Sequence, residues 1–323
     1  MLGAGNMGTA LAHVIAGNGH NVRVWSIEED VLEEVQDSRR NTKYLDGILL
    51  HPGITPVWGL AAAIEDANLI IVSVPSQVVP SLAREIAPHV KFGQTVLNVA
   101  KGLQGGTNRR MSEVLAAEMP QIEGCIGSMG GPAIAIEMAR GVPMAVVVGF
   151  GDPEACRRAQ SIIQGDHLKV ETTTDLAGLE LCATLKNVFA IALGICDGMG
   201  FGTNTKAFVA TLAVHEMARI CGALGGRGET VFGLAGLGDL LTTGFSEHSR
   251  NRTLGEKMGS AANWGAFLRS NTVEGVGACR AIHELIDGKG LDVHLADTLH
   301  EILSEERPAP EAMRHFLTSF TYG

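Results

Sequence analysis

Paired cysteines, a basic excess, abundant aromatics and long apolar runs are all missing from this sequence, and each absence removes a class of protein. The six cysteines, Cys125, Cys156, Cys182, Cys196, Cys221 and Cys279, are scattered and form no C-x-x-C pair. Disulfide frameworks belong to short secreted chains, so these read as reduced thiols of a cytoplasmic protein, mostly in the core. Acids outnumber bases, 35 against 25, for a net charge of −10. That is the wrong sign for a general nucleic-acid binder. Aromatics are 5% of residues, too few for stacking platforms along a single strand. The apolar runs, such as LIIVSVP and VPMAVVVGF, have strand length and fall short of the ~18 residues of a membrane span. The opening MLGAGNMG lacks the basic start and apolar core of a signal peptide. Eleven histidines show no metal-ligand spacing. HEMAR at 215–219 carries only the first two residues of a zincin motif, so no metal is expected.

What is present is a chain of 323 residues, 46% hydrophobic, with 41 glycines. That length suits two domains, and the composition is globular. In the first half, apolar runs at 21–25, 69–74, 95–100, 125–129 and 144–149 read as buried parallel strands, with 167–175 as a last strand. Helical patterns fall between them at 7–18, 28–38, 78–87, 110–118, 133–140 and 153–164. From about 176 the pattern is almost wholly helical, with segments at 177–195, 206–224, 279–285, 295–303 and 311–320. The expected fold is α/β: a Rossmann-type doubly wound sheet over 1–175, then an all-helical domain over 176–323.

The chain opens on Gly3-Ala4-Gly5-Asn6-Met7-Gly8, followed by an apolar helix and a strand ending at Trp25. In that context G-x-G-x-x-G points to a dinucleotide. Gly3 permits the tight turn, Gly5 lets the backbone approach a pyrophosphate, and Gly8 allows helix–strand contact. The phosphates would lie on the N–H groups of the helix start. Only Met1 and Leu2 precede the motif, so the first strand is nearly absent. The second strand ends at Ser26, with Glu28 two residues on and Arg39 and Arg40 after the next helix. Without a carboxylate at Ser26, an adenosine 2′-phosphate is tolerated there, and the cofactor is NADP or NAD.

The second half places charges where they do not belong on an ordinary surface. Lys186 lies among Leu185, Val188, Phe189 and Ile191. Such a lysine either snorkels or functions, because burial disfavours the ammonium and suits it to proton donation. Asp239, set in GLAGLGDLLTTG, needs a partner such as Lys186 or else caps a helix. Ser249-Arg250-Asn251-Arg252 is either a phosphate clamp or a solvated basic patch. Lys101 follows a buried strand, where open α/β sheets bind ligands, or is an ordinary loop lysine.

Together the segments GAGNMGTALA, VAKGLQ, GPAIAIEMARGVP, LKNVFAIALGI, GLAGLGDLLTTGFSEHSRNRTLG and VEGV resemble the NAD(P)-dependent glycerol-3-phosphate dehydrogenase family of the bacterial type, over nearly the whole chain. The resemblance implies reversible reduction of dihydroxyacetone phosphate to sn-glycerol 3-phosphate for membrane lipid synthesis. It implies a dinucleotide-binding first domain and a catalytic second one. By motif, Lys186 is the proton donor and acceptor, and Asp239 orients it. Lys101, Gly131, Ala133, Ser249, Arg250 and Asn251 match substrate positions. Gly3, Gly5, Asn6, Met7, Gly8, Lys101, Ala135, Arg250 and Glu274 match cofactor positions. The expected partners are a phosphorylated small molecule and a second copy of the chain. Two departures stand out. Asn6-Met7 replace a frequent Ser-Trp, and Ala133 replaces a frequent Ser or Thr. The rival readings are another two-domain reductase, for ketopantoate or a β-hydroxyacid, which would not need the SRNR clamp, and a non-catalytic NADPH sensor, which would not need Lys186 with Asp239.

Overall fold

The computed structural model describes residues 1–305 and 307–319. Two compact units make up the chain: residues 1–104 with 109–179, and residues 180 onward with 105–108.

The first unit carries seven strands: β1 (Val22–Val24), β2 (Ile54–Pro56), β3 (Leu69–Val72), β4 (Thr95–Asn98), β5 (Ile126–Gly130), β6 (Met144–Phe150) and β7 (Leu168–Thr173). β1 and β2 pair in parallel, and the other five lie in the order β3-β4-β5-β6-β7. Met1 and Leu2 supply one rung between the two groups. Leu2 N donates to Ile71 O at 2.8 Å, and Gly3 N donates to Trp25 O at 2.8 Å. That rung sets the glycine motif at the carboxyl ends of β1 and β3. Successive strand residues feed opposite faces, as the pleat requires. Ile71 and Leu97 join one core with Leu11, Ile15 and Phe150. Ile70, Val72 and Val96 join another with Leu82, Ile86, Met111 and Leu115.

The reading of 144–149 as one more parallel strand is corrected by the structure. β6 runs antiparallel to β5, with Gly127 opposite Phe150 and Gly130 opposite Val147. A parallel neighbour needs a crossover that returns the chain along the whole strand. Between β5 and β6 only Ala135–Ala139 is helical. Five residues span roughly 7.5 Å, so the chain turns back instead.

The second unit is helical. Leu176–Gly198, the longest helix, has the length and hydropathy of a membrane span by composition, which the run-length reading of the sequence did not register. Its apolar window is 100% buried in the fold, and Glu180, Lys186 and Asp197 interrupt it. It is a core helix. Further helices are Thr203–Ala223, Asp239–Phe245, Arg250–Gly259, Trp264–Ser270, Glu274–Ile286, His294–Ser304 and Ala309–Ser319. The sequence expectation of 311–320 for the last one ends at Phe320, which lies outside the described residues.

Glu216 shows how tightly this unit is closed. It is 3% exposed, and its carboxylate accepts the N–H groups of Leu295 and Ala296 at 2.7 and 2.8 Å, in the first turn of His294–Ser304. Burial pushes its carboxyl up from 4.5 to about 7, against the pull of those two bonds. The raised value means that the unfolded chain loses this proton first as pH rises. Native stability therefore falls between about 4.5 and 7, and the loss is complete above that window. Glu216→Gln, which does not titrate, is expected to close on the wild type by about 2 kcal/mol between pH 5 and pH 8. Urea unfolding at both pH values measures this, and a gap that stays constant refutes the link.

Candidate active site

The glycine motif is built by backbone constraints. Gly3 sits at φ +106°, and a Cβ there would strike the carbonyl of Ser73. A Cβ at Gly8 would strike the carbonyl of Gly3, so the helix start lies directly on the turn. At Gly5 nothing lies within 4 Å of the Cβ position. Gly5 is the N-cap of Asn6–Gly17, no side chain caps that helix, and its first turn holds no acid. Uncapped donors beside open space fit a pyrophosphate. Asn6 is exposed and Met7 half-buried. Behind the loop, buried Asn41 donates to Ala4 O and to Thr9 Oγ1, each at 2.8 Å, and fixes the turn from below.

At the end of β1, Ser26 Oγ accepts the N–H of Glu28 at 3.1 Å. The Glu28 carboxylate is held by Lys43 Nζ at 2.5 Å. The Lys43 and Tyr44 hydrogen bonds keep its carboxyl below the ordinary value. Arg39 closes the Glu29–Ser38 helix with φ +55°, and Arg39 and Arg40 are exposed. Lys101 stands three residues past the end of β4, half-buried. Gly131 follows β5 directly, with φ +99°. Ala133 and Ala135 are half-buried, and Ala135 opens the Ala135–Ala139 helix.

In the second unit Lys186 meets Asp239. Lys186 Nζ lies 3.1 Å from Asp239 Oδ1, with the two side chains 8% and 3% exposed. A buried ion pair of this kind persists only with good geometry and further hydrogen bonds. Thr243 supplies one: Lys186 Nζ donates to its Oγ1 at 2.7 Å, and that hydroxyl donates to Asp239 Oδ1 at 3.3 Å. Asp239 is the first residue of Asp239–Phe245 and Gly238 its N-cap, so Thr243 lies one turn on, on the same face.

Asn187 starts a second network. It donates to Glu274 Oε2 at 3.0 Å and accepts from Asn251 Nδ2 at 2.9 Å. Asn251 Oδ1 accepts the N–H of Gly275 at 2.9 Å. Ser249 is the N-cap of Arg250–Gly259, its Oγ accepting the N–H of Arg252 at 3.2 Å. The two arginines of SRNR differ. Arg252 is locked to Asp197 through Nε and Nη2, both at 2.7 Å. Arg250 is exposed and holds no ion pair among the described residues. Sequence reasoning missed Thr243 and Asn187. Their signals were a hydroxyl four residues after Asp239 and an amide inside an apolar helix.

Comparison with known proteins follows the same lines. The family model described as NAD-dependent glycerol-3-phosphate dehydrogenase N-terminus matches residues 1–156, and its C-terminus counterpart matches 175–314. A Chlorobium luteolum protein named glycerol-3-phosphate dehydrogenase, NAD(P)+, is 35% identical over 321 residues, 98% of this chain and 96% of that protein. A Carboxydothermus hydrogenoformans protein of the same name is 35% identical over 98% of this chain and 95% of its own length. The crystal structure of glycerol-3-phosphate dehydrogenase from Coxiella burnetii superposes with a TM-score of 0.88 at 32% identity, covering 98% of this chain and 97% of that one.

Proposed function

The chain belongs to the NAD-dependent glycerol-3-phosphate dehydrogenase family, and we propose that it reduces dihydroxyacetone phosphate reversibly to sn-glycerol 3-phosphate with NADPH or NADH, feeding glycerophospholipid synthesis. The observation that carries this reading is the buried Lys186–Asp239 pair with Thr243 across it. A reductase of a ketone needs a proton for the oxygen as well as a hydride for the carbon, and a non-catalytic sensor has no use for such a pair.

In the first unit Gly3, Gly5, Asn6, Met7, Gly8, Lys101 and Ala135 would contact the dinucleotide; in the second unit Arg250 and Glu274 match cofactor positions of the family. When bound, the nicotinamide supplies the hydride. Lys186 donates a proton to the C2 oxygen, a role that contributes ~10²–10⁴-fold. Asp239 and Thr243 fix two directions of the ammonium, so it meets the substrate pre-oriented. Ser249, Arg250 and Asn251 hold the phosphate, and that remote grip positions the reacting carbon. In the first unit Lys101, Gly131 and Ala133 match substrate positions of the family, with Lys101 supplying positive potential. The six cysteines, all free, support a cytoplasmic setting. The working form is a homodimer, which sedimentation would read as twice the chain mass.

The assay that tests this is oxidation of NADPH and NADH with dihydroxyacetone phosphate, ketopantoate serving as the rival substrate. Turnover of ketopantoate alone overturns the proposal. NADPH is expected to work at least as well as NADH. Ser26 carries no charge to repel a 2′-phosphate, and the Glu28 carboxylate is engaged by Lys43. Arg39 and Arg40 stand exposed as cationic partners. A preference for NADH beyond roughly tenfold in kcat/KM, or ~1.4 kcal/mol, would mean that an acid reads the ribose after all.

A further inference from the structure

Asp197 lies eleven residues after Lys186 on the Leu176–Gly198 helix. That spacing puts the two within about 20° of the same face, three turns apart. Both oxygens of its carboxylate are engaged. Oδ1 takes Lys206 Nζ at 2.7 Å, and Oδ2 takes Nε and Nη2 of Arg252, both at 2.7 Å. The side chains of Lys206, Asp197 and Arg252 are 13%, 16% and 15% exposed. This is a half-buried cluster rather than a fully solvated surface pair. An acid at a helix carboxyl end opposes the helix dipole, so its placement there calls for partners of this kind.

Each partner leads back to the site. Arg252 follows Arg250 and Asn251 on the same first turn of Arg250–Gly259. The Lys206 ammonium sits 4.5 Å over the ring of Phe245, the last residue of the helix that Asp239 opens. One carboxylate on the Lys186 helix therefore reaches both the helix that Asp239 opens and the helix that carries Arg250 and Asn251.

The helix contact itself supplies closeness without register. Gly194 and Gly198 on one helix face Gly255 and Gly259 on the other. A Cβ at Gly194 would collide with the Arg252 carbonyl, one at Gly198 with the Glu256 carbonyl, one at Gly255 with the Ile191 carbonyl and one at Gly259 with the Ile195 carbonyl. Two G-x-x-x-G faces bring the backbones together, yet present no side chain to resist sliding. The directional contacts are Asn187 with Asn251 at one end and Asp197 with Arg252 at the other.

We propose that Asp197 is a positioning residue for substrate binding: by fixing Arg252 and Lys206 it sets the register of the Arg250–Gly259 helix, and with it the aim of Arg250 and Asn251 at the substrate phosphate. This rests on the reading of Arg250 and Asn251 as the phosphate clamp. Asp197 touches no substrate; it acts through the helix start. A guanidinium held through two of its nitrogens on one carboxylate oxygen is limited in both distance and direction, which a packed glycine face does not achieve.

The test is steady-state kinetics of Asp197→Asn beside Arg250→Ala, with dihydroxyacetone phosphate and with unphosphorylated dihydroxyacetone. Asp197→Asn is expected to raise KM for the phosphorylated substrate at least tenfold. At saturating NADPH, kcat/KM for the unphosphorylated ketone stays within twofold. A merely structural loss would weaken both ketones alike, and that result overturns the proposal. If Arg250→Ala shows the phosphate-selective loss and Asp197→Asn does not, positioning by Asp197 is wrong and the clamp stands. If neither variant shows it, the clamp reading falls and the proposal falls with it. Arg252→Lys covers the case in which Asp197→Asn does not fold. It keeps the charge and loses the fork, so a smaller phosphate-selective rise, three- to tenfold, is expected. An unchanged KM in that variant also overturns the proposal.

Discussion

Lys186→Ala is expected to reduce dihydroxyacetone phosphate some 10² to 10⁴ times more slowly than the unmodified chain while binding NADPH with unchanged affinity. The magnitude follows from the place of the ammonium. It is 8% exposed, 3.1 Å from Asp239 and 2.7 Å from Thr243. Water reaching the vacated space is a weaker and less oriented acid. Affinity for the dinucleotide is spared because the glycine motif and the first turn of Asn6–Gly17 belong to the other unit. Stopped-flow turnover and a fluorescence titration of NADPH separate the two quantities. Asp239→Asn is the companion variant: it keeps the side-chain size and loses the charge that orients Lys186. Turnover at the wild-type level in Lys186→Ala would remove the lysine from the mechanism.

The second large effect is on binding. Arg250→Ala is expected to raise KM for dihydroxyacetone phosphate by roughly tenfold to a hundredfold, the size of one lost charge-assisted contact of about 1.5–3 kcal/mol. KM for unphosphorylated dihydroxyacetone should barely move. The contrast with Arg252 motivates this choice. Arg252 is spoken for by Asp197, whereas Arg250 is exposed with no ion pair among the described residues. Initial rates against both ketones decide it. Equal KM changes for the two would show that Arg250 supports the fold rather than the phosphate.

Where the physics was local, the sequence was readable. Gly3 and Gly8 belong to a motif whose spacing reflects the backbone geometry of a tight turn, and both are packed so closely that a Cβ would clash. Lys186 and Asp239 were legible as partners because two opposite charges in apolar segments need one another. Thr243 and Asn187 carry no charge, so their signals, a hydroxyl four residues after Asp239 and an amide inside an apolar helix, were too weak to single them out. The direction of β6 was hidden for a different reason. A buried apolar strand reads the same whichever way it runs, and only the length of the preceding connection distinguishes the cases. Leu176–Gly198 misled in the opposite sense, its charged residues masking a stretch apolar enough for a membrane. The Asp197 cluster depends on how two helices pack. Its trace in the sequence is the matched spacing of Gly194 with Gly198 and Gly255 with Gly259.

The assignment of Lys186 as proton donor can be tested by putting the acid back from solution. Lys186→Ala removes a side chain that is 8% exposed and leaves room beside Asp239 and Thr243 for a small alkylammonium ion. Turnover of dihydroxyacetone phosphate by this variant, measured against rising methylammonium at fixed pH and ionic strength, should climb at least tenfold and saturate. Arg250→Ala under the same titration should not respond. Methylammonium accelerating both variants alike, or an unaided Lys186→Ala that turns over like the wild type, would contradict the placement of the proton on Lys186.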